Sequence, residues 1–224
     1  MATTYGDEFY RDILEGLAIY HGSAFQRDVL ATLSTWQLPG IGVALNKNQI
    51  ASKMWLADVL LDTVGPRIGM VTVLGGWVGV LAAVLLHDPR FRIGRVVSTD
   101  IDPGCAAVAE ALNATHVRAG RFAAETADML GIDYAALPIE IDGAPCAIVN
   151  TSAEHLPDVA GWYARIPSGR LMVLQSNDYF ACAEHVSSVP DLAAFRAQIP
   201  MADVLFAGER RMRHYTRFML VGRK

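Results

Sequence analysis

The rhythm of apolar and polar positions changes near residue 66. Ahead of it, apolar residues recur at helical spacing, and Asp7 to Tyr20, Ala24 to Leu33 and Ile50 to Val64 read as amphipathic helices. Leu38 to Gly42 (LPGIG) and Asn46 to Asn48 (NKN) punctuate them, since Pro, Gly and Asn favour turns. Val64-Gly65-Pro66 closes this regime. Beyond it, short β-branched runs alternate with helical ones. Val71 to Leu74, Arg95 to Thr99, Ala123 to Ala127, Cys146 to Asn150 and Leu171 to Gln175 read as strands. Val78 to Leu86, Gly104 to Leu112 and Trp162 to Ile166 read as helices between them, with Asp102-Pro103 as the start signal of the second. Apolar strands alternating with helices imply a mostly parallel sheet covered on both faces. The alternation breaks at the end. Val204 to Ala207 and Tyr215 to Val221, around a charged Gly208 to Arg211 tip, read as an antiparallel hairpin. The pattern predicts an α/β domain over residues 66–224, with residues 1–65 as a helical lid.

Composition narrows the class. The chain has 224 residues, 52% hydrophobic and 19% charged, which excludes a disordered chain and fits one domain with an appendage. A net charge of −4 argues against a nucleic-acid binder, which usually carries a basic face. Three cysteines without a CxxC pair argue against a disulfide scaffold or structural zinc and for a reducing, cytoplasmic setting. The start, MATTYGDEFY, has acids where a signal peptide needs a basic segment and an apolar run. Met70 to Leu86 is 17 residues without charge, but its glycines mark a buried strand, a turn and a buried helix rather than a membrane span.

Candidate chemistry begins at Gly75, Gly76 and Gly79, between the first strand and its helix. Glycines there let backbone approach a ligand beyond the carboxyl ends of the strands. Asp100 ends the second strand 21 residues after Gly79, the spacing expected of a carboxylate on ribose hydroxyls. A dinucleotide fingerprint would need glycine at 77 and a small residue at 80. Trp77 and Val80 stand there, and the loop has no basic residue for a pyrophosphate. An adenosine ligand without phosphate fits better, and S-adenosylmethionine (SAM) is the common one. The alternative is a tight turn with a capping aspartate.

The segments VLGGWVG, VSTDIDP, NTSAEHLPDVAGWYARIP, VLQSNDYF, AEHV and YTRFMLVGRK resemble class I SAM-dependent methyltransferase-like proteins, in particular a branch that includes bacterial azetidine-2-carboxylate synthases. The resemblance runs from about Asn46 to Lys224 and implies a Rossmann-like fold. It implies cyclisation of SAM to azetidine-2-carboxylate and methylthioadenosine, in natural product biosynthesis with a nonribosomal peptide synthetase as the downstream user. Gly75, Gly76, Trp77, Gly79, Asp100, Ile101, Asp128, Met129, Asn150 and Lys53 are the expected SAM-binding residues. By this resemblance Asp128 accepts from the adenine amine and Met129 packs on the ring. Read from the residues alone, Asp128 is equally a cap for the segment MLGIDY, and Asn150 or Ser152 a cap for a helix near Glu154. Methyltransferases of this class usually carry an acid two residues before the first glycine. Here that position is Val73.

Closing a four-membered ring requires the amine behind the γ-carbon, opposite sulfur. Asn150, Ser152, Ser176 and Asn177 end strands on the ligand side and are candidates to grip the methionine part, with Lys53 and Gln49 reaching its carboxylate. Tyr179 is the candidate face for the sulfonium, with Trp77, Tyr163 and Tyr20 behind it. Tyr179, Asn150, Ser152 and Ser176 form the expected catalytic set. The structural alternatives are a core role for Tyr179-Phe180 and a solvated surface charge for Lys53. Glu154-His155 and Glu184-His185 resemble a metal set, but adjacent residues rarely point at one ion, so no metal is expected. His155 could instead act as a base in methyl transfer to a small acceptor, the first rival function. A SAM-binding protein without catalysis is the second.

Overall fold

The computed structural model describes residues 7–35 and 41–224, with side chains from Asp12 onward. Part of the LPGIG segment and the first six residues lie outside them. In chain order the elements are α1 (Asp7–His21), α2 (Ala24–Thr35), α3 (Ile41–Ala44), α4 (Lys47–Val64), β1 (Arg67–Leu74), α5 (Val80–His87), β2 (Arg92–Asp100), α6 (Cys105–Leu112), α7 (Ala114–Arg118) and β3 (Phe122–Thr126). There follow β4 (Glu140–Ile141), β5 (Ala144–Pro145), β6 (Ala147–Asn150), α8 (Val159–Arg165), β7 (Leu171–Asn177), α9 (Leu192–Gln198), β8 (Asp203–Arg211) and β9 (Thr216–Arg223).

Among the described residues the main sheet has seven strands in the order β3-β2-β1-β6-β7-β9-β8. β1, β2, β3, β6 and β7 run parallel, and β9 pairs antiparallel with β7 and β8. The mostly parallel α/β sheet with a C-terminal antiparallel hairpin is the predicted fold class. Strand order reverses between β1 and β6, the place where open α/β sheets hold ligands. Because β9 is antiparallel, its first residues lie beside the carboxyl end of β7, with Asn177 opposite Arg217.

Alternation along the central strands sorts the core. Leu171 and Val173 of β7 join Val71, Leu81, Leu85 and Val221 in one cluster, while Met172 and Leu174 join Trp162, Phe195 and Phe218 in the other. α4 belongs to the first cluster through Leu56, Ala57 and Leu60. α4 starts at Lys47, three residues ahead of the predicted Ile50, because Asn46 caps it: its side chain accepts from the Asn48 and Gln49 amides at 2.9 and 3.0 Å. Gly65, at φ 96°, ends α4 by donating to the Leu60 and Leu61 carbonyls. α2 packs on α6, and Asp28 accepts from the Thr115 amide at 2.9 Å. Beside it the rings of His87 and His116 meet edge to face at 4.3 Å.

Other boundaries also differ from the sequence reading. MLGIDY holds only a 3-10 turn, Met129–Gly131, and the predicted helix near Glu154 is a second such turn, Ala153–His155. Gly208 to Arg211 belong to β8, and the hairpin turns at residues 212–215, where the Met212 amide donates to the Tyr215 carbonyl at 2.8 Å. β8 is an edge strand, where exposed charge is tolerated and discourages further pairing. The apolar run from Met70 is the end of β1, the glycine loop and α5. No helix among the described residues is long and apolar enough to cross a membrane.

Candidate functional site

The carboxyl ends of the strands open into a cavity of about 890 Å³. This lies in the upper part of the range that encloses a drug-sized molecule. One half of its wall is the loop after β1. Gly75 and Gly79 adopt φ of 60° and 75°. A Cβ on Gly76 would collide with the Ser98 hydroxyl, so only glycine lets the loop lie this close to β2. Trp77 also has a positive φ, 47°, which is unusual for a bulky residue and turns its side chain onto the cavity wall.

Asp100 holds this loop. Its Oδ2 accepts from the Trp77 amide at 2.8 Å and its Oδ1 from the Asp102 amide at 3.0 Å, while the Gly76 amide donates to the Thr99 carbonyl at 2.9 Å. The carboxylate still lines the cavity, with lone pairs left for a ligand. Ile101, exposed, and Met129, half-buried, add apolar surface to this half. Asp128 lines it too, and its Oδ1 caps the 3-10 turn by accepting from the Leu130 amide at 2.8 Å.

The other half is polar and charged. Lys53 descends from α4, Ser152, Glu154 and His155 follow β6, Tyr179 and His185 follow β7, and Tyr215 and Arg217 open β9. Behind the wall runs a buried network. Arg217 donates to the Thr151 carbonyl at 2.8 Å and meets Glu154 Oε1 at 3.4 Å; Asn177 donates to the same oxygen at 2.6 Å. Gln175 Oε1 accepts from the Ser52 hydroxyl at 3.1 Å, tying α4 to this network. Lys53 donates to Gln49 Oε1 at 2.7 Å. Burial, and secondarily the Arg217 guanidinium, bring the Lys53 ammonium down to about 7. Lys53 is therefore a cavity group rather than a solvated surface charge.

The structure brings together at one cavity Gly75, Gly76, Trp77, Asp100, Ile101, Asp128, Met129, Ser152, Tyr179 and Lys53. Gly79 sits just behind, at the start of α5, where a Cβ would press on Asn113 and Ala109. Asn150 and Ser176 are fully buried in their strands and do not reach the cavity. Asn150 works from behind, accepting from the Ser152 amide at 2.9 Å and turning its own amide to the Met129 sulfur at 3.7 Å. Tyr163 donates to the Pro200 carbonyl at 3.1 Å and Tyr20 lies exposed on α1, so neither lines the cavity. Arg217 and Tyr215 were not singled out from sequence. The available signal was a lone arginine inside the apolar run of a central strand (TRFMLV).

No protein-family model matches the sequence, and no curated protein matches it. Solved structures do match in shape. N-methyltransferase NodS from Bradyrhizobium japonicum WM9, in complex with S-adenosyl-L-homocysteine, superposes with a TM-score of 0.60 at 12% identity, over 89% of this chain and 96% of that one. The [4+2]-cyclase SpnF gives a TM-score of 0.54 at 12% identity, over 84% and 86%. The bifunctional kinase-methyltransferase WbdD gives 0.57 at 18% identity, over 87% of this chain and 46% of that one. The likeness is one of shape, and the chain shares the Rossmann-like fold of these methyltransferase structures.

Proposed function

We propose that the cavity binds SAM and that the chain cyclises it to azetidine-2-carboxylate and methylthioadenosine. The glycine loop and Asp100 would take the ribose, and Asp128, Ile101 and Met129 the adenine. The α-amine of the methionine part attacks its γ-carbon, the carbon–sulfur bond breaks, and the electron pair neutralises the sulfonium as the thioether of methylthioadenosine. The nitrogen then gives up a proton. Only a neutral amine attacks, so the site must not hold an ammonium.

The observation that carries this reading is the composition of the wall. Val73, where the resembling methyltransferases place an acid, is apolar and lines the cavity, and the nearby cations are Lys53 and Arg217. Cations beside an amine disfavour its protonated form and attract the carboxylate instead. Arg217 supplies this effect, and Lys53, brought down to about 7 by burial, is suited in its neutral form to take the released proton. Tyr179, whose ring lies 5.7 Å from that of Tyr215, offers an aromatic face to the sulfonium.

The product is then a small, strained amino acid suited to a nonribosomal peptide synthetase. A second reading, methyl transfer to a small acceptor, is favoured by one observation: His155 and His185 meet at 4.7 Å next to the buried Glu154, an arrangement suited to a base.

The test is mass spectrometry of the purified protein with SAM alone. Methylthioadenosine with azetidine-2-carboxylate, above a protein-free control, is the expected result. Intact SAM overturns cyclisation. S-adenosylhomocysteine formed only when a small acceptor is added establishes methyl transfer.

A further inference from the structure

The folded chain completes what the sequence showed only as two separate Glu-His pairs. One carboxylate oxygen of Glu154 and one ring nitrogen each of His155 and His185 lie within 4.8 Å of one another, on the wall of the cavity. Glu184 stays out of this group although it lines the same cavity. Glu154 and His185 are held from behind. Glu154 is buried, and its Oε1 is taken by Asn177 at 2.6 Å and Arg217 at 3.4 Å. Its Oε2 is buried and has no hydrogen-bond partner among the described residues. A buried carboxylate oxygen left without a partner needs a water, an ion or a ligand to satisfy it. His185 Nδ1 lies 3.2 Å from the Tyr179 carbonyl. With the proton on Nδ1, that contact fixes the ring and leaves Nε2 as a lone-pair donor, the usual support of a metal-binding imidazole.

We propose that Glu154, His155 and His185 form a site for a divalent transition-metal ion of the zinc or iron(II) class, opening into the cavity. Two imidazoles and one carboxylate are a recurrent ligand set for these ions and leave coordination positions free for a small molecule. Ligand bonds of about 2.0–2.2 Å bring donor atoms to within roughly 3–3.5 Å of each other around one ion. The observed spread of up to 4.8 Å therefore closes with side-chain movements of about 1.3–1.8 Å. His155 is exposed and free to make it. Arg217 opposes a cation here, but its guanidinium is already tied to the Thr151 carbonyl and Glu154 Oε1, and Glu184 adds a negative charge to the wall. The open positions would take an oxygen or nitrogen donor of the bound molecule. The proposal departs from the metal-free expectation of the sequence and does not rest on the SAM reading.

The test is calorimetric titration of the chelator-stripped full chain with zinc chloride, and with cobalt(II) followed by visible absorption, both without SAM. The expected result is saturation at one ion per chain. His155→Ala and His185→Ala should each weaken binding at least about tenfold, and Asn177→Ala, which frees the carboxylate, by about 10–100-fold. His155 lies at the surface, so its variant should keep the parent melting temperature and decides the matter if a Glu154→Gln variant fails to fold. No saturable uptake, or equal uptake by the histidine variants, overturns the site and leaves Glu154 Oε2 to an ordered water. Metal binding with inert SAM would leave this site standing and sink the cyclase.

Discussion

At the scale of single residues, Lys53 is the most informative group. Its ammonium is held near 7 by burial and by Arg217, so its neutral form becomes dominant as pH rises through that value. If it takes the substrate's proton, turnover should climb with pH through about 7 and then level. Lys53→Met should flatten that rise and slow turnover, while raising the melting temperature, because a cation that the fold disfavours is replaced by an apolar chain of similar length. A pH–rate profile and a melting curve on the same variant check both halves. A steep profile surviving the substitution would assign the proton to another group. Local motifs such as Gly75-Gly76 and Asp100 were readable because a strand, a turn and a fixed spacing carry them. Asn150 and Ser176, expected at the ligand, lie behind the cavity for a physical reason. In a sheet covered on both faces, the side chains of Asn150 and Ser176 are buried between neighbouring layers, whereas residues just past the strand ends, such as Ser152 and Tyr179, line the mouth.

At the scale of elements, α4 does two things at once. Its apolar side puts Leu56 and Leu60, both fully buried, against the sheet, and its polar side carries Lys53 and Gln49 to the cavity. Leu60→Ala should cost about 2–5 kcal/mol in denaturant unfolding, the usual loss for an aliphatic chain removed from a close-packed core. A much smaller cost would mean that α4 is only loosely seated. The apolar spacing announces this helix but not its place in the core, because the residues it meets lie on α5, β8 and β9, far along the chain. The same holds for Glu154 and His185. They come from loops after adjacent strands, and the register of β6 on β7 sets their meeting.

At the scale of the whole molecule, α2 meets the α/β body beside a pair of buried histidines. Between α2, α5 and α7, burial holds the imidazole of His116 down at about 4, and burial also lowers His87. Nε2 of both rings is buried without a hydrogen-bond partner among the described residues. A folded value below the unfolded 6.5 means that the unfolded chain binds protons first as pH falls. Stability should be complete above about pH 6.5 and fall between 6.5 and 4, by the order of 3 kcal/mol for His116. Unfolding curves across that interval check it, and His116→Gln should blunt the loss. Stability unchanged down to pH 4 would mean the pair is solvated.

The position of β9 between β7 and β8 has a consequence for synthesis. A nascent chain that has emerged only as far as β8 already contains the glycine loop, Asp100 and every parallel strand. It still lacks the interior strand that seats Arg217 and Tyr215 in the wall, so β8 has nothing to pair with. The complete cavity wall would thus form abruptly, when β9 slots in, and a chain not yet extended through β9 would expose the β7 edge to its neighbours on the same polysome.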